Sequence, residues 1–281
     1  MKRLIVNADD FGLHEAVNRG IYQSHSEGIV TSTSLMAGGA AFDDAVAIKR
    51  RCPKLDVGIH LTLVGGRPVA PVQRIPSLVD EQGQFCSSYP VFLARYLQGI
   101  IRLADVEQEL TAQIEQIKQA GLNPTHLDSH QHLHVVPGIS DLVLSLARHY
   151  SIRAIRIPAE PLFFFGGIFP SVGRVVGRNG LTALATYFRH RAVAAGFSVT
   201  DHFFGMLAGG QMQESALSEI LESLPDGVSE IMVHPGEKDE ALAAQYSWGY
   251  HWDDELQALC SAGVKQTVRE QKIQLISFQE L

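Results

Sequence analysis

Residues 4–36 read LIVNADDFGLHEAVNRGIYQSHSEGIVTSTSLM. A strand-length segment, Leu4–Asp9, is followed by an amphipathic helical stretch near 14–27 and then by a β-rich run, Val30–Met36. That order is the signature of a parallel crossover unit. The same alternation continues outward. Further strand candidates are Val57–Leu63, Thr125–His130, Ala154–Ile157, His202–Gly205, Val228–His234 and Ile273–Phe278. Helical candidates lie near 41–51, 104–120, 138–150, 214–223 and 253–271. Alternating elements of this kind favour a parallel sheet covered by helices. Seven or eight units in 281 residues predict an α/β fold. The expected form is an irregular seven- or eight-stranded β/α barrel, with its active site at the C-terminal ends of the strands. One domain over 1–281 is expected, with long insertions at about 64–103 and 158–200 over the active-site face.

Composition narrows the class. The chain is 46% hydrophobic and 19% charged, which excludes a disordered tail or a fibre. Its net charge is 23 − 30 = −7, so the global basic footprint of a nucleic-acid binder is missing. The three cysteines, Cys52, Cys86 and Cys260, suit neither a disulfide framework nor a zinc ribbon. The N-terminal apolar run is too short for a secretory signal, and no run is long enough to span a bilayer. A cytoplasmic protein is expected.

Histidine is the unusual component. Four of the twelve fall in HLDSHQHLH, residues 126–134. In an extended chain His126, Asp128 and His130 face one way, and His132 and His134 join them if the extension continues. Such a row predicts a metal site, although spacing alone does not fix which histidines bind. Asp9-Asp10 ends a buried strand, where two adjacent carboxylates need a cation, hydrogen bonds or a helix N-terminus. His60, Arg156 and His234 are single polar residues in apolar strands. Each falls at or near a strand's C-terminal end, where barrels keep their catalytic groups.

With these residues in view, the sequence resembles the YdjC-like carbohydrate deacetylase family, which includes the chitooligosaccharide deacetylases. The matching motifs are NADDFG (7–12), GIVTSTS (28–34), GIHLTL (58–63), THLDSHQHLH (125–134) and VHPG (233–236). The resemblance implies an irregular β/α barrel that removes acetyl groups from N-acetylated sugars with one divalent metal ion, Zn or Mg, with Co, Mn or Ni as alternatives. It assigns Asp10, His60 and His130 as metal ligands, Asp9 as general base and His234 as general acid. By likeness to more distant polysaccharide deacetylases, Arg156 orients the base. Asp128, His126, His132 and His134 are left as substrate contacts or as supports for the ligating imidazoles. RPV–P–RIPSLVD–G–F (67–85) and RIPAEP (156–161) resemble the hopanoid-biosynthesis branch, which implies an N-acetylglucosaminyl hopanoid as substrate.

Three other readings stay open. The substrate could be a soluble chitooligosaccharide. The surplus histidines could supply the polynuclear site of a metal-dependent phosphoesterase. The metal could be structural in a lipid-carrying protein, since LFFFGGIF (162–169) is apolar and precedes Arg174, Arg178, Arg189 and Arg191. On the lipid view Phe164 and Phe165 receive an apolar aglycone, and the arginines face headgroups at the inner side of a membrane. A glycolipid partner, a peripheral membrane contact and a homo-oligomer remain compatible with the sequence.

Overall fold

The structure is a computed structural model that describes residues 1–162, 164 and 171–281. The first half holds β1 (Lys2–Phe11), α1 (Glu15–Ser26), β2 (Ser32–Leu35), α2 (Phe42–Arg51) and β3 (Asp56–Leu61). It continues with α3 (Tyr89–Leu97), α4 (Leu103–Gln119), β4 (His126–Ser129), α5 (Ile139–His149) and β5 (Ala154–Ile155). Then follow α6 (Val172–Ala194), β6 (His202–Phe204), α7 (Glu214–Ser223), β7 (Gly227–Val233) and α8 (Asp239–Gln245). The chain closes with α9 (Trp252–Cys260), α10 (Ala262–Glu270) and β8 (Gln274–Leu275).

All strand pairs among the described residues are parallel, in the order β5-β4-β3-β2-β1-β7-β6, with β8 short and paired to the start of β1. The expected barrel is thus a curled parallel sheet. Its path ends at β5 and β6, and a bridge from Ala154 to Ser198, just before β6, brings the two ends round. The central strand β1 is buried from Leu4 to Phe11, as expected of a parallel strand covered on both faces. One face of the sheet is unusual for a barrel. Branched aliphatic layers usually fill that space. Here Asn7, Asp9, Ser34, His60, His126, Asp128, Arg156 and Glu230 are all buried and linked by hydrogen bonds.

Helix boundaries depart from expectation at one place. The segment 253–271 was expected as one helix, but it breaks at Ser261, whose extended backbone and hydroxyl cap α10 through the Val264 N–H. Both long connections carry helices, α3 and α6. The first connection is fixed by α4, which buries Asp105, Glu109 and Gln113 at four-residue spacing. Glu109 accepts the N–H groups of Val69 and Ala70, and Asp105 accepts that of Ser77, each at 2.9 Å. Buried backbone donors need such partners.

In the second connection Arg178 is buried, while Arg174, Arg189 and Arg191 keep part of their side chains at the surface. Arg178 donates to the carbonyls of Pro161, Leu162 and Phe164, at 2.7–3.1 Å. Arg174 donates to the Leu207 carbonyl, Arg189 to that of Thr200, and Arg191 pairs with Asp141. Arg178 also pairs with Glu160, so donors of these four arginines serve loop carbonyls and two carboxylates of the same chain, and a contact with lipid headgroups is not shown. Among the described residues no helix is long and apolar enough to cross a membrane.

Candidate metal centre and active site

Adjacent residues of a regular strand face opposite sides, so Asp9 and Asp10 would ordinarily diverge. The backbone resolves this. Ala8 pairs with Thr33 and Phe11 with Leu35, so three steps on β1 oppose two on β2. That is a β-bulge, and within it Asp10 takes a left-handed φ of 66°. Asp tolerates this region better than most residues. As a result both carboxylates contact the same imidazole: His60 Nε2 lies 3.3 Å from Asp10 Oδ1 and 4.0 Å from Asp9 Oδ2.

His60 is positioned by register. It pairs with Asp128 across β3 and β4, which puts the two side chains on one face. Its Nδ1 meets Asp128 Oδ1 at 2.8 Å, leaving Nε2 pointed at Asp10. A carboxylate behind an imidazole in this way orients it as a ligand. His130 follows the last residue of β4, and its Nδ1 lies 3.0 Å from Asp10 Oδ1. The strand expected over Thr125–His130 stops at Ser129, and the further extension that would have put His132 and His134 on the same face is not made. Gln131 and His132 adopt φ of 55° and 58°, and residues His130–Val135 form short 3-10 turns.

Arg156, just beyond β5, is fully buried and holds three carboxylates. It forks onto Asp9 at 2.6 and 2.7 Å, reaches Asp128 Oδ2 at 2.8 Å, and donates Nε to Glu230 at 2.6 Å. Asn7 and Ser34 complete the network, Asn7 donating to Asp9 and Ser34 to Asp128. Burial would pull His60 down, but the carboxylates of Asp128 and Asp9 outweigh it and raise the imidazole to about 10. Burial pushes the Glu230 carboxyl up to about 7 against the pull of Arg156. Asp9, Asp128 and Glu230 thus share a single guanidinium while Asp10 faces His60 and His130, and the site has room in its charge balance for a cation.

Two groups of donors could take one. Asp10, His60 and His130 bring their ligand atoms within 4.8 Å of one another, and so do Asp9, His60 and Asp128. In the second group both carboxylates already accept from Arg156, so a cation there would lie beside a guanidinium. In the first, among the described residues, Asp10 has no arginine partner and its buried Oδ2 has no hydrogen-bond partner. Buried polar atoms left without a partner call for an explanation such as an ion or water. Two imidazoles and one carboxylate, with positions left open, are a fitting donor set for a catalytic divalent metal.

The remaining residues named from the sequence fall into different surroundings. His126 hydrogen-bonds Ser34 Oγ and Thr125 Oγ1 and stacks on Phe278 at 3.8 Å. Burial pushes it down to about 4. His134 bonds Ser129 Oγ and the Arg156 carbonyl, and burial likewise pushes it down to about 4. His132 packs edge-on to Phe203 and His134, with Nδ1 unpartnered among the described residues. Neither candidate donor group among the described residues includes any of these three. The surplus histidines therefore do not gather into a polynuclear centre, because their rings are turned to hydroxyls, a carbonyl and aromatic faces. His234 follows Val233, the partner of Ala8, and so stands at the end of the strand beside Asp9. Its N–H is held by buried Glu255, and its ring lies 4.9 Å from that of Tyr250. Phe164 packs edge-on against Phe204 at 5.1 Å, and Phe165 lies outside the described residues.

Sequence reasoning passed over Glu230, Glu255 and Trp248. Glu230 was detectable as an acid inside the apolar run VSEIMV, in phase with His234. Trp248 lies 5.2 Å, ring to ring, from His130.

Comparison with known proteins gives consistent results. A family model described as YdjC-like protein matches residues 3–270. A carbohydrate deacetylase of Brevibacillus brevis is 38% identical over 280 residues, covering 99% of each chain. A carbohydrate deacetylase of Geobacillus stearothermophilus is 33% identical over 277 residues, covering 98% of this chain and 96% of that protein. A crystal structure from Enterococcus faecalis V583, described as a candidate cellobiose-phosphate cleavage protein, superimposes with a TM-score of 0.79. It is 27% identical and covers 99% of this chain and 98% of its own.

Proposed function

The chain belongs to the YdjC-like family, and on that premise we propose that it is a divalent-metal-dependent hydrolase that removes the acetyl group from an N-acetylated sugar. The observation that carries this reading is the buried cluster of Asp10, His60 and His130 beside an Asp9 clamped by Arg156. The full-length likeness to carbohydrate deacetylases supports the substrate class.

Amide hydrolysis needs an activated water, stabilisation of the developing oxyanion, and a proton for the departing amine. Asp10, His60 and His130 would hold the ion, which supplies Lewis-acid polarisation and makes water more acidic. Asp9 takes the water's proton. Its Oδ1 is occupied by Asn7 and Arg156, while Oδ2 accepts from Arg156 and still faces His60 at 4.0 Å. Arg156 fixes the plane of that carboxylate, and Glu230 fixes Arg156. His234 delivers the proton to the leaving nitrogen, held in place by Glu255 behind its backbone and Tyr250 beside its ring.

On the proposal, His60→Ala and His130→Ala each lose the bound metal and the activity while the barrel stays folded. Elemental analysis alongside circular dichroism checks this, and stoichiometric metal in both variants would remove these ligands from the account.

For the finer substrate, the branch-like motifs at 67–85 and 156–161 support an N-acetylglucosaminyl group carried on a hopanoid-type lipid. Arg174, Arg178 and Arg189 each spend donors on carbonyls of the same chain, which favours a second reading, a soluble N-acetylglucosamine oligomer. Acetate release from the glycolipid and from diacetylchitobiose, run side by side with a nitrophenyl phosphate, separates the cases. Acetate from either sugar supports deacetylation, and preference between them chooses the substrate. Phosphate release without acetate would overturn the proposal.

A further inference from the structure

Residues 246–252 read YSWGYHW, with an aromatic ring at every second position: Tyr246, Trp248, Tyr250 and Trp252. The rings form a continuous strip. Tyr246 lies 4.9 Å from Trp248, Trp248 lies 5.5 Å from Tyr250, and Tyr250 lies 5.5 Å from Trp252. One part of the strip is anchored. Trp252 is buried, its Cβ against Gly236, and the Tyr250 ring lies so close to Gly210 that a Cβ there would sit 2.2 Å from it. The His251 N–H donates to the Gly210 carbonyl at 2.8 Å, tying the backbone down. Trp248 is only half-buried. Gly249, at φ 68° with open space around it, lets the chain turn between Trp248 and Tyr250.

The strip runs between the two ends of the chemistry. Trp248 packs 5.2 Å from His130 of the donor cluster, and Tyr250 packs 4.9 Å from His234. Trp248 packs against the core on one side, yet part of its ring stays exposed beside a buried, charged centre. Ligand pockets combine such apolar faces with a few placed polar groups. The face of a pyranose carries C–H groups, and an aromatic plane covers it while leaving the hydroxyls free to hydrogen-bond.

Resting on the deacetylase reading, we propose that Trp248 is the platform on which the pyranose bearing the scissile acetamido group stacks, with Tyr250 continuing that wall toward His234. Trp248 is then a specificity-determining residue: it favours substrates whose acetamide is attached to a sugar ring over acyclic acetamides.

Emission spectroscopy tests this directly, because the chain has two tryptophans, Trp248 and buried Trp252. Titrating diacetylchitobiose into the full-length protein should change its emission saturably, and Trp248→Phe should lose that change while keeping the emission of Trp252. In acetate-release assays Trp248→Ala should raise KM for diacetylchitobiose at least about tenfold, the scale of losing an aromatic anchor, with kcat little altered. Trp248→Phe, which restores a ring, should recover most of that KM. Unchanged emission at saturating sugar, or an unchanged KM in Trp248→Ala, overturns the platform. Acetate release with neither effect leaves the deacetylase reading standing and removes the platform. An emission change without acetate release leaves Trp248 a sugar-stacking residue but removes the deacetylase reading, and with it the assignment of the stacked ring as the one that reacts.

Discussion

Arg156→Met is expected to lower the folding free energy by about 3–5 kcal/mol, the cost of leaving buried charges uncompensated. The guanidinium is fully buried, and Asp9, Asp128 and Glu230 all direct carboxylate oxygens at it from 2.6–2.8 Å. Methionine fills much of the same volume, so packing loss is small and electrostatics decide the result. Arg156→Lys should recover only part of the stability, since an ammonium cannot make the two-pronged bond to Asp9 while also reaching Glu230. The shift of the denaturant midpoint measures both variants. A loss below about 1 kcal/mol in Arg156→Met would mean that the three carboxylates do not depend on the guanidinium.

Asp9→Asn is expected to retain the metal and to lose about 10²–10⁴-fold in kcat, the range attributed to a positioned general base. The substitution keeps the size of the side chain and leaves Asp10, His60 and His130 in place. His60 Nε2 is closer to Asp10 than to Asp9, 3.3 against 4.0 Å, which is why metal affinity should follow Asp10. Asp10→Asn should therefore weaken metal binding first. Equal metal loss in both variants would make Asp9 a ligand and leave the base elsewhere.

The order of strands and helices could be read from the alternation of short β-rich runs with helical spacing, because a parallel sheet imposes that rhythm on the chain. Where reading fell short, local backbone geometry decided the outcome. Period-two alternation puts Asp9 and Asp10 on opposite faces, and only the bulge at 8–11 turns both toward His60. The same rule could not say whether the row 126–134 stays extended past His130; left-handed residues at 131 and 132 decide it and send His132 and His134 to other neighbours. Ser261 interrupts a helical pattern that carries straight through it, because its extended ψ breaks the helix and its hydroxyl then caps α10. The roles of Glu230 and Glu255 were hidden for another reason, although Glu230 stood out as an acid in an apolar run. Their partners, Arg156 and the N–H groups of Met212 and His234, are remote in sequence, and no local spacing signals them. The arginines of α6 looked like a basic surface for a related reason, since the carbonyls that receive them lie in loops with no pattern of their own.

If an ion held by Asp10, His60 and His130 drives the proposed hydrolysis, the chelated protein should release no acetate from N-acetylglucosamine substrates. Returning a divalent ion should restore acetate release as about one ion binds per chain. Undiminished acetate release from protein shown by elemental analysis to be metal-free would contradict the proposal.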